Sequence, residues 1–111
     1  MRVKCRTNSV NESRHALTLG GAYEVIGIEA GDLRIIDDAG SPVLFDPALF
    51  DMIDPARPMH WKSWTDDGVE YAYAPELAAP GFFEDYHQRQ PDAVRTFHRY
   101  INRNLRLSDA A

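Results

Sequence analysis

The segment from Gly21 to Asp54 constrains the fold of this chain more than any other part of the sequence. It holds three short apolar runs, Tyr23–Ile28, Leu33–Ile36 and Val43–Phe45, which are separated by residues that favour turns. Runs of this length between turn signals predict antiparallel strands with tight connections. Because both faces of the first two runs carry apolar side chains, a second layer must cover the resulting sheet.

Two further strands are predicted on either side of these runs. Met1–Arg6 alternates apolar with basic residues, which is the period of a strand with one solvated face. Ala48–Phe50 predicts one turn of 3₁₀ helix, and Met52–Asp54 predicts a last strand before Pro55. Five short antiparallel strands in this order predict a small Src-homology-3-like barrel over residues 1 to 55.

Residues 60 to 74 predict an aromatic β-hairpin. Asp67-Gly68 is a preferred pair for a two-residue turn, and with it at the tip Trp64 faces Tyr71. Lys62 then faces Tyr73, and these side chains share one face of the hairpin. That face either packs on the barrel or forms an exposed aromatic platform.

Two helices are predicted within residues 81 to 106. Gly81–His87 reads as a short helix that ends before Pro91, and a longer helix begins at Pro91. Its apolar residues are spaced as one stripe that can cover the sheet, namely Val94, Phe97, Ile101 and Leu105. The fold class is therefore α+β, mainly β, in a single domain over residues 1 to 111, with the C-terminal helices packed on the sheet.

The length and composition exclude several classes of protein. A chain of 111 residues has room for one core. No apolar run approaches the roughly 20 residues that cross a bilayer, and the N-terminal segment lacks the apolar core of a signal peptide. We therefore expect no membrane association and a cytoplasmic location, with which the single Cys5 is compatible.

The residue types that carry chemistry do not form a recognisable catalytic or metal-binding pattern. The four histidines are distant in sequence, with none three or four residues from another, and a second cysteine is lacking: His15, His60, His87 and His98. No nucleophile elbow and no phosphate-binding glycine loop is present. We therefore expect no catalytic residue, no metal and no cofactor.

The acidic residues are concentrated in the middle of the chain. Residues 24 to 85 carry 14 acidic and 3 basic side chains. This imbalance disfavours contact with nucleic-acid phosphates and favours a basic protein partner. The candidate contacts are the acidic turns and the aromatic hairpin, that is Asp37, Asp38, Asp46, Trp64, Asp66, Asp67, Glu70, Tyr71 and Tyr73.

The last helix offers a different candidate surface of opposite charge. Arg95, Arg99, Arg103 and Arg106 fall on the side away from the apolar stripe. This basic face is either a solvated helix exterior or a site for nucleic acid or an acidic partner.

Four segments together resemble a group of short bacterial proteins. They are Tyr23–Ile28, Arg34–Asp38, Pro42–Pro47 with Leu49-Phe50, and Gly81–Tyr86, within a resemblance that covers about residues 20 to 87. Some members of the group look like immunity proteins of polymorphic or secretion-delivered toxin systems. The resemblance implies a Src-homology-3-like barrel and a cognate toxin as the partner.

The leading hypothesis is an immunity protein that neutralises a cognate bacterial toxin by occluding the active site of the toxin. The first alternative is a small-barrel module that binds nucleic acid or the ribosome through the Arg-rich last helix. The second alternative is a regulatory or phage-derived adaptor that binds a protein other than a toxin. The sequence leaves the oligomeric state open.

Overall fold

A computed structural model describes residues 1–6 and 17–105 of the chain. The described residues form a mainly β structure of the α+β class, with an antiparallel sheet of seven strands and two α-helices. The strands are β1 (Arg2–Cys5), β2 (Ala22–Glu29), β3 (Asp32–Ile36), β4 (Pro42–Phe45), β5 (Phe50–Asp54), β6 (Lys62–Asp66) and β7 (Val69–Tyr73). The helices are α1 (Phe82–His87) and α2 (Pro91–Asn104), and 3₁₀ turns occupy Pro47–Leu49 and Pro75–Leu77.

β2 is the strand around which the sheet is built. It pairs with β1 through Ala22–Glu24, with β3 through 25–29 and with β7 through 27–29. The remaining pairs give the order β4-β3-β2-β1-β5, with β6 attached to β7. The predicted Src-homology-3-like barrel is not confirmed, because this sheet is open.

A bulge in β2 divides its side chains between two apolar cores. Val25 pairs with Ile35 and Gly27 pairs with Arg34, so that Ile26 is an extra residue between two ladder positions. Strict alternation predicts Ile26 and Ile28 on one face, and this prediction is wrong. Ile28 joins Val25 in the first core, whereas Ile26 packs in the second.

The first core lies within the sheet and the second lies under the helices. The first core contains side chains from β1 to β5 and β7, among them Val3, Val25, Ile35 and Phe45. The second contains Ile26, Tyr73, Leu77, Phe83, Phe97 and Tyr100. Helices therefore cover the second face of the sheet, as the apolar strands require. Trp61 contacts both cores.

The buried face of α2 differs from the predicted stripe. Ala93, Phe97 and Tyr100 are its buried residues. Val94 is only half-buried, while Ile101 and Leu105 lie at the border of the core. The stripe is thus rotated toward Tyr100, whose ring supplies apolar area although its hydroxyl is polar.

The hairpin of β6 and β7 has the register that the Asp67-Gly68 turn predicts. Trp64 lies opposite Tyr71, and Lys62 lies opposite Tyr73. Asp67 and Gly68 both have positive φ angles, of 53° and 84°, as a type I′ turn requires.

Candidate functional site

Arg34 is the one charged residue buried among the described residues. It lies on β3 between Leu33 and Ile35, and its guanidinium has several partners. Nε donates to the Tyr73 hydroxyl at 3.1 Å, Nη1 to the Pro42 carbonyl at 3.2 Å, and Nη2 to Glu29 Oε1 at 2.9 Å. A buried cation requires such compensation, because desolvation of an unpaired charge is costly.

Glu29 and Tyr73 complete this network. The Tyr73 hydroxyl donates to Glu29 Oε1 at 2.6 Å, a short bond of the kind that a charged acceptor forms. Burial raises the pKa of Tyr73, so the phenol remains a donor at neutral pH. Glu29 Oε1 therefore accepts from both Arg34 and Tyr73, whereas Oε2 accepts no hydrogen bond from the described residues. The Glu29 side chain is 34% exposed, so Oε2 has access to solvent.

The aromatic rings around the network fix its position. The Arg34 guanidinium carbon lies 4.0 Å from the centroid of the Phe83 ring, a cation–π arrangement. The Tyr73 ring lies across Gly27, where a Cβ atom would be 2.0 Å from the ring. Glycine at this position is thus required by the close approach of Tyr73.

A cleft of about 180 Å³ opens above this network, between the hairpin and residues 77 to 84. Trp64 and Tyr71 form one wall, with their rings stacked at a centroid distance of 5.7 Å and an interplanar angle of 9°. Glu29 and Glu84 also line it. We call this space the aromatic cleft. Trp64 is 38% exposed, so part of its indole surface remains available for contact.

The hairpin face that was predicted to be either packed or exposed is divided between the two states. Tyr73 is 4% exposed and belongs to the second core. Trp64 is exposed and Tyr71 is half-buried, and both lie at the cleft. The aromatic platform is therefore limited to the outer half of the hairpin.

Three of the predicted acidic contacts support the local structure. Asp37 Oδ1 accepts from the backbone N–H groups of Ala39 and Ser41 at 2.9 and 3.0 Å. Asp38 accepts from the Tyr23 hydroxyl at 2.7 Å and also from a threonine hydroxyl. Asp46 caps the first 3₁₀ turn. None of these three lines the aromatic cleft.

The other acidic candidates lie on the hairpin itself. Asp66 and Asp67 are exposed at its tip. Glu70 forms a two-bond ion pair with Arg57, at 2.7 and 3.1 Å, and hydrogen bonding to that guanidinium lowers the pKa of Glu70. The tip therefore presents two carboxylates without an ion pair to any described cation, whereas the charge of Glu70 is partly neutralised.

The basic face of α2 is present as far as the structure describes the helix. Arg95, Arg99 and Arg103 are exposed, and Arg95 pairs with Asp92 one turn earlier. Arg106 lies outside the described residues, as does His15.

A second polar cluster lies under the start of the hairpin. The His60 ring nitrogen Nε2 is 3.4 Å from the Tyr100 hydroxyl. Burial raises the pKa of Tyr100. The buried indole N–H of Trp61 faces Tyr100 but has no hydrogen bond of normal geometry among the described residues.

Sequence reasoning missed four residues of the cleft, namely Glu29, Arg34, Phe83 and Glu84. One signal pointed to them: Arg34 interrupts an apolar strand, and a charge within a strand that is buried on both faces must have a partner. The counter-charge Glu29 is five residues away across the β2–β3 turn and was within reach of a local argument, whereas Tyr73, 39 residues away in sequence, was not.

No group of three metal-ligating side chains occurs in the described ranges 1–6 and 17–105. Nor does any helix in those ranges have the length and apolar character needed to cross a membrane. Comparison of the chain with protein-family models, curated proteins and solved structures gives no match. The resemblance to immunity-type proteins therefore stays a prediction.

Proposed function

We propose that this protein is a cytoplasmic immunity protein that binds a cognate bacterial toxin and occludes the active site of that toxin. The observation that carries the proposal is the hairpin, where exposed carboxylates and a partly exposed aromatic stack occur on one pair of strands. Tryptophan and tyrosine are enriched among the residues that dominate binding energy in protein interfaces. An inhibitor of this kind needs a complementary surface and no catalytic group.

The charge distribution supports a basic partner. The excess of acidic side chains between residues 24 and 85 generates a negative potential, which accelerates association with a positively charged surface. Toxins that cleave nucleic acids have basic clefts, because their substrates are polyanions. An acidic protein that enters such a cleft competes directly with the substrate.

We also propose that the first five strands are an opened form of the Src-homology-3-like barrel. The support is the strand order, in which β1 pairs with both β2 and β5, and the 3₁₀ turn directly before β5. In this interpretation the hairpin and helices are additions to the barrel that create the binding surface.

The test uses the product of the neighbouring gene, expressed alone and together with this protein. We expect growth arrest by that product alone, rescue on co-expression, and co-purification of the two proteins. Their association rate should fall as salt is raised, because screening weakens attraction between surfaces. A neighbouring product that is harmless alone, or that fails to co-purify, would remove the basis of the proposal.

A matched pair of variants tests the contribution of the hairpin tip. Asp66→Asn combined with Asp67→Asn removes two charges and keeps the turn, since Asn-Gly is also favoured in a type I′ turn. Glu76→Gln combined with Asp85→Asn is the control, because both carboxylates are exposed and lie outside the hairpin, and the change of net charge is the same. The tip variant should slow association with the toxin, and the control should not.

The second candidate function is binding of nucleic acid or the ribosome by α2. The observation in its favour is that Arg99 and Arg103 are exposed and have no ion pair with a described carboxylate. It predicts retention on RNA or DNA at low salt, with loss of retention when both arginines are replaced by alanine. Retention that is unchanged in this variant would exclude the basic face.

A further inference from the structure

We propose that the aromatic cleft receives an arginine side chain of the partner protein. The inference rests on the proposed function in one respect, which is that the partner is basic. It goes further in assigning a single site on this chain, with Trp64 and Tyr71 as the stacking wall and with Glu29 and Glu84 as the acceptors.

The size of the cleft indicates one side chain instead of a cofactor. Its volume is about 180 Å³. Pockets for drug-sized ligands occupy about 300 to 1,000 Å³, which exceeds this space. A single long side chain that inserts from a protein surface suits the smaller volume.

The electrostatics of the lining favour a cation. Arg34 is a poor site for an anion, because three of its five N–H groups already donate hydrogen bonds, its side chain is 9% exposed and Glu29 balances its charge. Glu29 Oε2 has no donor among the described residues, and Glu84 is exposed in the first turn of α1. Glu29 thus offers an acceptor oxygen although Arg34 balances its charge, and Glu84 gives the lining a net negative charge, which a cation complements.

The aromatic wall favours arginine in particular. A guanidinium is planar and stacks on the face of an aromatic ring, while its fork of N–H groups bonds carboxylates. Stacking on Tyr71 fixes one face of the Trp64 indole, which lines the cleft. A cation on this ring is attracted by its π electrons, most strongly for tryptophan.

The test titrates the full-length protein with N-acetyl-arginine-N-methylamide and follows backbone amide resonances by NMR. We expect saturable shifts for Tyr71, Gly81 and Glu84, which surround the cleft. N-acetyl-citrulline-N-methylamide is the matched control, since it has nearly the same shape without the charge, and it should bind more weakly. The corresponding glutamate derivative should produce no saturable shift at these residues.

Variants then assign the binding to the proposed groups. Trp64→Leu keeps an apolar side chain but removes the ring, and it should weaken binding of the arginine probe roughly threefold to tenfold. Glu84→Gln should weaken it roughly twofold to fivefold, as expected for a partly exposed ion pair. Asp85→Asn makes the same change of charge on the same helix outside the cleft and should have an effect within about a factor of two.

Several results would overturn the proposal. Equal binding of the citrulline and arginine derivatives would show that charge has no part, and preferential binding of the glutamate derivative would identify an anion site. Shifts that persist unchanged in Trp64→Leu would place the arginine elsewhere. The absence of any saturable shift at the cleft would remove the site altogether.

The toxin experiment separates this inference from the proposed function. If the toxin is neutralised equally by the wild type and by Trp64→Leu, the protein is an immunity protein whose anchor lies outside the cleft. If no neighbouring toxin exists but the arginine probe binds as expected, the cleft is a basic-peptide site with a different biological partner. In that case the inference stands and the immunity function does not.

Discussion

At the scale of single residues, the main feature is the unequal exposure of Arg34 and its carboxylate partner. The Arg34 side chain is 9% exposed, whereas that of Glu29 is 34% exposed. If Arg34 is removed, water can hydrate Glu29. If Glu29 is removed, the guanidinium remains buried next to Tyr73 and Phe83 without a counter-charge.

We therefore predict that Glu29→Ala destabilises the protein more than Arg34→Met does. Loss of one partner of a buried ion pair costs about 3 to 5 kcal/mol, and the partial exposure of Glu29 places this case near the lower end. Arg34→Met replaces the charge with an apolar side chain that can still contact Phe83. Urea unfolding of both variants measures the two losses in free energy of unfolding. A larger loss for Arg34→Met than for Glu29→Ala would show that water adequately hydrates the unpaired arginine.

Tyr73 predicts how stability depends on alkaline pH. Burial raises the pKa of Tyr73 above its ordinary value of 10.0, so the folded state holds the phenolic proton more tightly than the unfolded state. The resulting stabilisation is fully present below about pH 10 and is lost as pH rises toward the raised pKa. The free energy of unfolding should fall above about pH 10, and Tyr73→Phe should reduce the slope. An unchanged slope in this variant would assign the effect to Tyr23 and Tyr100, whose pKa values burial also raises.

At the scale of elements, α2 contributes to stability chiefly through Phe97. This side chain is 2% exposed and contacts the rings of Phe83 and Tyr86. Phe97→Ala should lower the free energy of unfolding by about 3 to 5 kcal/mol, through lost burial and a residual cavity. His98 is the next residue and is exposed, so His98→Ala should change the free energy of unfolding by less than about 0.5 kcal/mol. A loss below about 1 kcal/mol for Phe97→Ala would mean that α2 is weakly attached.

The hairpin turn provides a second prediction at this scale. Gly68 has a φ of 84°, a conformation that costs other residues about 1 to 2 kcal/mol. Gly68→Ala should therefore destabilise the protein by about that amount, as measured by thermal unfolding. Val69→Ala alters the adjacent exposed residue without backbone strain and serves as the control. Equal effects of the two substitutions would indicate that the turn does not need the positive φ angle.

Local sequence signals predicted the elements better than they predicted the faces of those elements. The strands and the Trp64–Tyr71 register follow from turn residues that act over a few positions. The bulge at Ile26 could not be predicted, because an extra residue is defined only against the partner strand. The burial of Tyr100 was also missed, because the stripe was predicted from apolar residues alone. Tyrosine was left out for its polar hydroxyl, although its aromatic ring is apolar.

The sequence predicted some residues of the aromatic cleft and missed others, and the difference has a physical basis. Trp64 and Tyr71 come together because they are cross-strand neighbours in one hairpin. Glu29 and Arg34 are likewise neighbours in the β2–β3 hairpin, but this pair and Glu84 reach Trp64 and Tyr71 only through tertiary packing, which no local pattern encodes. Asp37, Asp38 and Asp46 were candidates by charge alone, yet their oxygens accept hydrogen bonds from nearby groups.

At the scale of the whole molecule, the two cores are joined by shared elements. β2 supplies side chains to both, and Trp61 packs against both. We therefore predict one cooperative unfolding transition. Thermal curves from far-ultraviolet circular dichroism and from tryptophan fluorescence should coincide, as they do for a two-state domain. Two separate midpoints would show that the helices and the sheet unfold independently.

The bulge in β2 has a consequence for how this protein can vary. Substitutions along β2 alter one side chain at a time, and deletion of Ile26 would remove the extra position, so that Val25, Gly27 and Ile28 stay opposite Ile35, Arg34 and Leu33 in a regular ladder. The second core would lose the Ile26 side chain, whereas deletion of Gly27 would place Ile26 opposite Arg34, where the Tyr73 ring leaves no room for a side chain. In genetic terms, a screen of single-codon deletions should find β2 more tolerant of losing Ile26 than of losing Gly27, because only Ile26 is in excess of the partner strand.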